Sequence, residues 1–223
     1  MFIANFMTTP ARTVTPDTLL SEAQELMATG NYRHLPVVDE ENRLTGIVTD
    51  RDLRSAMPAG MLDDEEKSAH LKRFARTMVR AIMTEAVSNL TAEATLDDAL
   101  LLFDRTRVGA LPVVDSKHRV IGIISVRDLL TAYRQLFGLG VKGSALIGVV
   151  DQGDPTMLTR LTGALEAGHI PFTRLIRTGE LGGHGSVIYV RVHTHNLNGV
   201  QNTLIAAGFK TVAPGIERGN DYA

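Results

Sequence analysis

Leu35-Pro36-Val37-Val38-Asp39, followed six residues later by Gly46-Ile47-Val48-Thr49-Asp50-Arg51-Asp52-Leu53, decides the fold, because the chain carries it twice. Its second appearance is Leu111-Pro112-Val113-Val114-Asp115 and Gly122-Ile123-Ile124-Ser125-Val126-Arg127-Asp128-Leu129. A shift of 76 residues lays positions 7–53 over 83–129 without a gap, and 17 of those 47 positions are identical. An ungapped duplication of this extent means that both copies share one fold.

Working outward from the quoted stretch, each copy reads as strand, helix, strand, strand, helix. A short strand near residues 13–15 leads. A helix from about Leu19 sets Leu20, Ala23, Leu26 and Met27 on one face, as Leu96, Ala99, Leu102 and Phe103 are set in the second copy. Thr95 and Asp98 give that second helix a capping-box start. Apolar strands at 35–38 and 44–48 form a hairpin through Asp39-Glu40-Glu41-Asn42, and another helix begins near Asp50. One such unit lies near the lower size limit for a self-sufficient core. The two copies are therefore expected to bury their apolar faces against each other about a pseudo-twofold axis, so that any groove between them is formed twice. Residues 63–80 read as a linker helix, with Asp63, Asp64, Glu65 and Glu66 at its start and Arg73, Arg76 and Arg80 towards its end, as the helix dipole favours.

The Leu-Pro-Val-Val-Asp strand followed by Gly-Ile-Val-Thr-x-Arg-Asp-Leu resembles the cystathionine-β-synthase (CBS) domain, and two in tandem resemble a Bateman module. The resemblance covers about residues 1–135 and rests on both motifs occurring twice. The organisation expected is a first CBS domain at 1–60, a linker helix at 61–82, a second CBS domain at 83–137, a glycine-rich linker at 138–143, a further domain at 144–213 and a tail at 214–223.

Thr49 with Asp52, and Ser125 with Asp128, carry the chemistry of interest. By spacing alone each pair is a capping box, worth about 1 kcal/mol. The same geometry offers a helix N-terminus to an anion and a carboxylate to the two hydroxyls of a ribose, and capping and binding can coexist. In CBS domains these positions hold the ribose and phosphate of adenosine ligands, which the resemblance implies here too. Arg33 and His34 precede the first Leu-Pro-Val-Val-Asp strand, where the family often places basic residues facing nucleotide phosphates; a solvated strand edge is the plainer reading. The second copy has Gly109-Ala110 there, which predicts two chemically unequal clefts. Arg51 and Arg127 lie inside the motif and are weaker phosphate candidates. For the base, analogy with the family implies Thr9, Pro10, Ala11 and Arg12, then Glu85, Ala86, Val87 and Ser88, with Val37, Ala110 and Val113.

After the repeats, Gly138-Leu139-Gly140-Val141-Lys142-Gly143 fits the spacing of a dinucleotide fingerprint, but a helix precedes it and a strand follows. The order is reversed from what that motif needs, so the segment reads as a flexible linker. From Ser144 the pattern is strand (145–150), helix (155–167), strands (172–178 and 186–194), helix (197–207) and strand (210–213), with a glycine-rich loop at 179–185. That βαββαβ order is ferredoxin-like, giving an α+β chain overall: two CBS domains paired about a pseudo-twofold axis, then this smaller domain. The last segment resembles an ACT domain, a small-molecule regulatory module. Thr156 of Pro155-Thr156-Met157-Leu158 stands where that family commonly has the glycine that lets an amino acid approach. Two CBS units before an ACT-like domain, together with the opening Met1-Phe2-Ile3-Ala4-Asn5-Phe6-Met7-Thr8, resemble the acetoin-utilisation AcuB group.

Composition narrows the rest. The 223 residues include no cysteine, which excludes disulfides, thiolate metal sites and cysteine nucleophiles. A net charge of −2 gives no bulk attraction to nucleic acid or an anionic membrane. No apolar run reaches the roughly 18–20 residues of a membrane span, and the first residues lack the pattern of a signal peptide, so a cytoplasmic protein is expected. His193 and His195 share a strand face but lack further metal ligands nearby. Gly183-His184-Gly185-Ser186 is not a nucleophile elbow. No enzyme motif appears, and no cofactor or metal is expected. The reading is a homodimeric regulator that binds an adenosine-type small molecule (AMP, ADP or ATP, with or without Mg²⁺) and passes its state to an unidentified protein partner. S-adenosylmethionine offers the same adenosine face. An amino-acid sensor working through the ACT-like domain, or a ligand-free assembly adaptor, are the alternatives.

Overall fold

The computed structural model describes residues 1–57, 63–179 and 185–212, and the chain divides into two compact units, Met1–Ala132 and Tyr133–Ala223. In the first unit, copy one comprises α1 (Leu20–Gly30), the hairpin strands β1 (His34–Val38) and β2 (Leu44–Thr49), and α2 (Asp50–Ala56). The linker helix α3 (Asp64–Arg76) leads to copy two, with β3 (Leu90–Thr91), α4 (Leu96–Thr106), β4 (Ala110–Val114), β5 (Val120–Ser125) and α5 (Val126–Leu136).

The repeated aspartate builds the hairpin turn. Asp39 Oδ1 accepts from the backbone N–H groups of Glu41 and Arg43, and its Oδ2 accepts from Arg43 Nε. Asp115 does the same with Lys117 and Arg119. Strands β2 and β5 alternate buried and half-buried residues, whereas β1 and β4 are buried almost throughout, because both of their faces are covered. Val38, Leu44, Val114 and Val120 form a core cluster where the hairpins meet. Arg43 bridges Arg119 there, two positions equivalent under the repeat, as expected on a pseudo-twofold axis.

The axis also exchanges arms. Residues 1–8 pair with copy two: Ile3 N–H donates to Ala94 O (2.9 Å), Leu96 N–H to Met1 O (2.9 Å), and Thr8 and Ile123 exchange bonds of 2.9 and 3.0 Å. Residues 77–84 make the equivalent bonds to copy one: Val79 to Thr18 (2.8 Å), Leu20 to Thr77 (2.9 Å), and Thr84 with Ile47 (2.9 Å each way). Each arm thus satisfies an N–H at the start of the other copy's first helix. It also inserts an anchor, Ile3 or Val79, both 0% exposed.

Two sequence expectations are corrected here. The linker helix ends at Arg76 rather than near Arg80, because residues 77–84 form this arm, with Val79–Ala81 in a 3-10 turn. The leading strand of copy one shrinks to one parallel bridge, Val14 to Val37. Pro16 stands where copy two has Ala92 and has no N–H with which to continue the ladder.

The second unit contains β6 (Ser144–Val150), α6 (Met157–Ala167), β7 (Phe172–Arg177), β8 (Val187–His193), α7 (Leu197–Ala206) and β9 (Thr211–Val212). Its sheet runs β7-β8-β6-β9 with every neighbour antiparallel, the ferredoxin-like order. Ile147, Val149, Ile188, Val190 and Val192 face both helices and pack on Met157, Leu161, Leu165 and Leu204. The expected tail at 214–223, Ala213 and most of the glycine-rich loop, with His184, lie outside the described residues. Among the described residues no helix is long and apolar enough to cross a membrane.

Candidate functional site

Strands β2 and β5 each end in a hydroxyl residue that caps the next helix. Asp52 Oδ2 accepts from Thr49 N–H (2.8 Å) and Thr49 Oγ1 (2.7 Å), and Asp52 N–H donates back to Thr49 Oγ1 (3.3 Å). Ser125 and Asp128 repeat this at 2.8, 2.7 and 3.2 Å. The capping box is therefore formed twice. Within the described residues it uses only one oxygen of each carboxylate, and both aspartates are partly exposed. Oδ1 remains able to accept from a ligand hydroxyl.

Each pair opens on a cavity. The first has a volume of about 770 Å³ and holds Thr49, Asp52, Arg33, His34, Arg51 and Arg107 in its wall, with Ala86, Val87, Ser88 and Val108 as further lining. The second, of about 520 Å³, is lined by Ser125, Asp128, Arg12, Arg33, Arg127 and Tyr32. Three guanidiniums face the first cavity without an ion pair among the described residues: Arg33, Arg51 and Arg107. Arg54, also in its wall, is paired with Asp50 at 2.6 Å. Arg12, Arg33 and Arg127 play that part in the second.

Arg33 and His34 line both cavities, together with Gly109 and Ala110. The sequence reading gave the basic pair to the first cleft alone. The two clefts share a wall instead, because residues 33–34 and 109–110 are equivalent under the repeat and lie beside one another near the axis. A Cβ on Gly109 would stand 2.8 Å from His34 Nε2, so glycine leaves the room that the imidazole fills. Burial, and then the Arg33 charge, hold the His34 pKa below the usual 6.5, against weaker opposite pulls from Asp52 and Asp50. At neutral pH His34 is thus an uncharged hydrogen-bonding group, and the cations of the site are arginines.

The base-pocket expectations divide. Arg12, Ala86, Val87, Ser88 and Ala110 do line a cavity. Val37 and Val113 do not: both are 0% exposed in the cores beneath their hairpins, since their strands are covered on both faces. Thr9, Pro10, Ala11 and Glu85 lie off the cavity walls; Thr9 Oγ1 donates to Ile121 O, and Ala11 packs on the axial cluster. Sequence reasoning missed Arg107. It follows α4 with φ +54, a left-handed conformation that Asn31, its equivalent after α1, adopts more readily. An arginine where asparagine fits better was the available signal.

In the second unit, Thr156 stands at the N-cap position of α6 without a side-chain cap bond, its N–H and Oγ1 both donating to Asp154 (2.8 and 2.9 Å). The loop has no glycine there, and those donors are occupied. His193 and His195 meet edge to face at 6.4 Å. Among the described residues no third His, Cys, Asp or Glu joins them.

The CBS domain family matches residues 3–59 and 79–135, just over half of the chain. An inosine-5'-monophosphate dehydrogenase of Methanocaldococcus jannaschii is 36% identical over 118 residues, 53% of this chain but only 21% of that enzyme, so the chain spans about a fifth of its length. The CBS-pair protein CBSX2 of Arabidopsis thaliana superposes with a TM-score of 0.54 at 27% identity, over 61% of this chain and 96% of its own. CBSX2 has also been solved in complex with AMP, with a TM-score of 0.51 and 28% identity over 61% of this chain and 98% of its own. AcuB of Vibrio cholerae gives 0.52 at 28% identity, over 62% and 94% of the two chains. With both repeats matched and each carrying the same capped carboxylate over its own cavity, the chain belongs to the CBS-domain family.

Proposed function

We propose that this protein is a regulatory sensor that binds adenine nucleotides in its two CBS clefts and acts by reporting occupancy rather than by turnover. The observation that carries this is a twice-built one. A carboxylate with one oxygen held by its own capping box and the other unengaged among the described residues lies in the same cavity wall as three guanidiniums without an ion pair among those residues. The carboxylate suits a ribose diol and the guanidiniums suit a phosphate. The complex of CBSX2 with AMP supports the choice of ligand class. Occupancy would be passed on through an ACT-like domain, or through a dimer formed by it. Amino-acid sensing at the Thr156 loop gains no support, since Asp154 already takes those donors.

Isothermal titration of nucleotide-free protein with AMP, ADP, ATP and S-adenosylmethionine, with and without Mg²⁺, tests the proposal. Saturable binding of a phosphorylated adenosine ligand is expected. Asp52→Asn and Asp128→Asn should each weaken their own site about tenfold or more, because each removes charge-assisted bonds of about 1.5–3 kcal/mol. No heat with any ligand, together with an unchanged melting temperature, would reject it.

A further inference from the structure

One face of the second unit's sheet is covered by α6 and α7, and the other carries a row of unusual charge. In that row Arg174 of β7 lies directly opposite Arg191 of β8, which lies opposite Leu146 of β6. The next row is Ile176, Tyr189 and Gly148. Like charges directly opposite one another on adjacent strands are destabilising, yet among the described residues neither arginine has a carboxylate partner. Arg174 is compensated locally. Its guanidinium donates to Leu136 O, to Gln135 O (2.8 Å) and to Thr173 Oγ1 (3.0 Å), and so caps the negative end of α5.

Arg191 has no such relief. It is 8% exposed, the one charged side chain that is buried among the described residues, and its single hydrogen bond goes to Ser144 Oγ at 3.1 Å. A buried cation left without a counter-charge is strongly unfavourable. Around it lies a cavity of about 260 Å³, walled by Phe137, Leu139, Leu146, Ile176 and Tyr189. The glycine-rich segment read as a linker makes room for this arrangement. Gly138 has φ +63, and a Cβ there would fall 2.5 Å from Arg174 Nη1 and 3.1 Å from Arg191 Cδ. Its glycine is thus required twice, by conformation and by the approach of both arginines.

We propose that this cavity is a second ligand site, separate from the CBS clefts, for a small monocarboxylate with an apolar body. The carboxylate pairs with the Arg191 guanidinium, whose planar fork matches it, and offsets the repulsion from Arg174. The hydrocarbon part lies against Phe137, Leu139, Leu146 and Ile176. A cavity below the usual range for drug-sized ligands sets the body at roughly six to eight carbons. A second copy of the chain on this face would bring two more guanidiniums to it, and so fits the charge poorly.

Full-length protein titrated calorimetrically with phenylacetate and 4-methylpentanoate, each against its neutral amide, tests this. The acids should saturate and bind at least about tenfold more tightly than the amides, a gap of about 1.4 kcal/mol. Arg191→Gln should abolish that gap. Leu146→Glu alters a residue that is 48% exposed, so it keeps the fold while placing a negative charge at the site, and it should weaken the acids more than the amides, which lose only the apolar contact. The Asp52→Asn/Asp128→Asn variant should leave acid binding unchanged, which separates this site from nucleotide binding. Equal affinity of acid and amide would overturn the proposal. So would a gap that survives Arg191→Gln in folded protein, or no saturation by either acid up to its solubility limit.

Discussion

Ile3→Ala tests the exchanged arms most directly. Truncating an apolar side chain on a segment that packs on nothing changes stability by less than about 0.5 kcal/mol. Here Ile3 is 0% exposed and lies within an arm bonded at both ends to copy two, through Ala94 and Leu96 at one and Ile123 at the other. Truncating a fully buried isoleucine to alanine costs about 2–5 kcal/mol, from lost transfer energy and the cavity left behind. Its equivalent Val79 is equally buried, and Val79→Ala removes two carbons instead of three, for about 1.5–3 kcal/mol. The chain has no tryptophan, so far-UV circular dichroism in a urea titration is the assay. With a slope of about 1–3 kcal/mol per molar urea, Ile3→Ala should lower the unfolding midpoint of the CBS pair by about 0.7 M or more. A shift corresponding to less than about 0.5 kcal/mol at an unchanged slope would refute the arm exchange, because an unpacked segment gives that result.

Four further outcomes are expected. His34 is held neutral in the free protein, and a phosphate beside it raises its pKa, so AMP should bind more tightly as pH falls from 8 towards 6, by at most about tenfold per unit. Titration in buffers of different ionisation heat should count the proton taken up, and His34→Gln should remove that uptake. The same depressed pKa works against the ligand-free fold: the His34 contribution to stability is fully present above the ordinary 6.5 and is lost as pH falls through it, which urea midpoints at pH 7.5 and 5.5 will show. Arg107→Asn should raise stability by about 0.5–1 kcal/mol by relieving the left-handed backbone, while weakening AMP at the first cavity, as urea titration and calorimetry on one variant will reveal. Gly46→Ala would place a Cβ 2.9 Å from Met83 Sδ and 3.1 Å from Thr84 O, pressing on the second arm, and should cost about 1–3 kcal/mol in the same urea assay.

The hairpins, the capping boxes and the paired copies were legible because each follows from residues close in sequence or from the 76-residue shift. What the sequence hid is what depends on which copy a segment joins. The arms at 1–8 and 77–84 precede their own copies in sequence yet pack on the other, and no local period distinguishes those outcomes. Val37 and Val113 are implied at the base only by analogy with the family, and an apolar strand residue next to a motif suits either a cavity wall or a core. Only the burial of both faces of β1 and β4 separates the two. Arg191 was passed over for a similar reason: a strand arginine normally faces solvent, and its burial depends on the turn at Gly138 far away in sequence.

The duplication kept the scaffold and changed the walls. Core positions equivalent under the repeat retain their character: Leu20 and Leu96, Ala23 and Ala99, Leu35 and Leu111, Leu53 and Leu129. Cavity positions change charge or shape: Arg33 and Gly109, His34 and Ala110, Asp50 and Val126, Asn31 and Arg107, Arg12 and Ser88. A symmetric fold therefore presents two unequal sites that share Arg33 and His34. A phosphate that neutralises Arg33 from one cavity removes positive potential from the other, since the guanidinium can pair fully with only one anion at a time. Two AMP molecules should for that reason titrate in two steps of different affinity. Arg33→Gln should weaken both steps and bring them closer together, whereas two independent clefts would lose affinity at one step only.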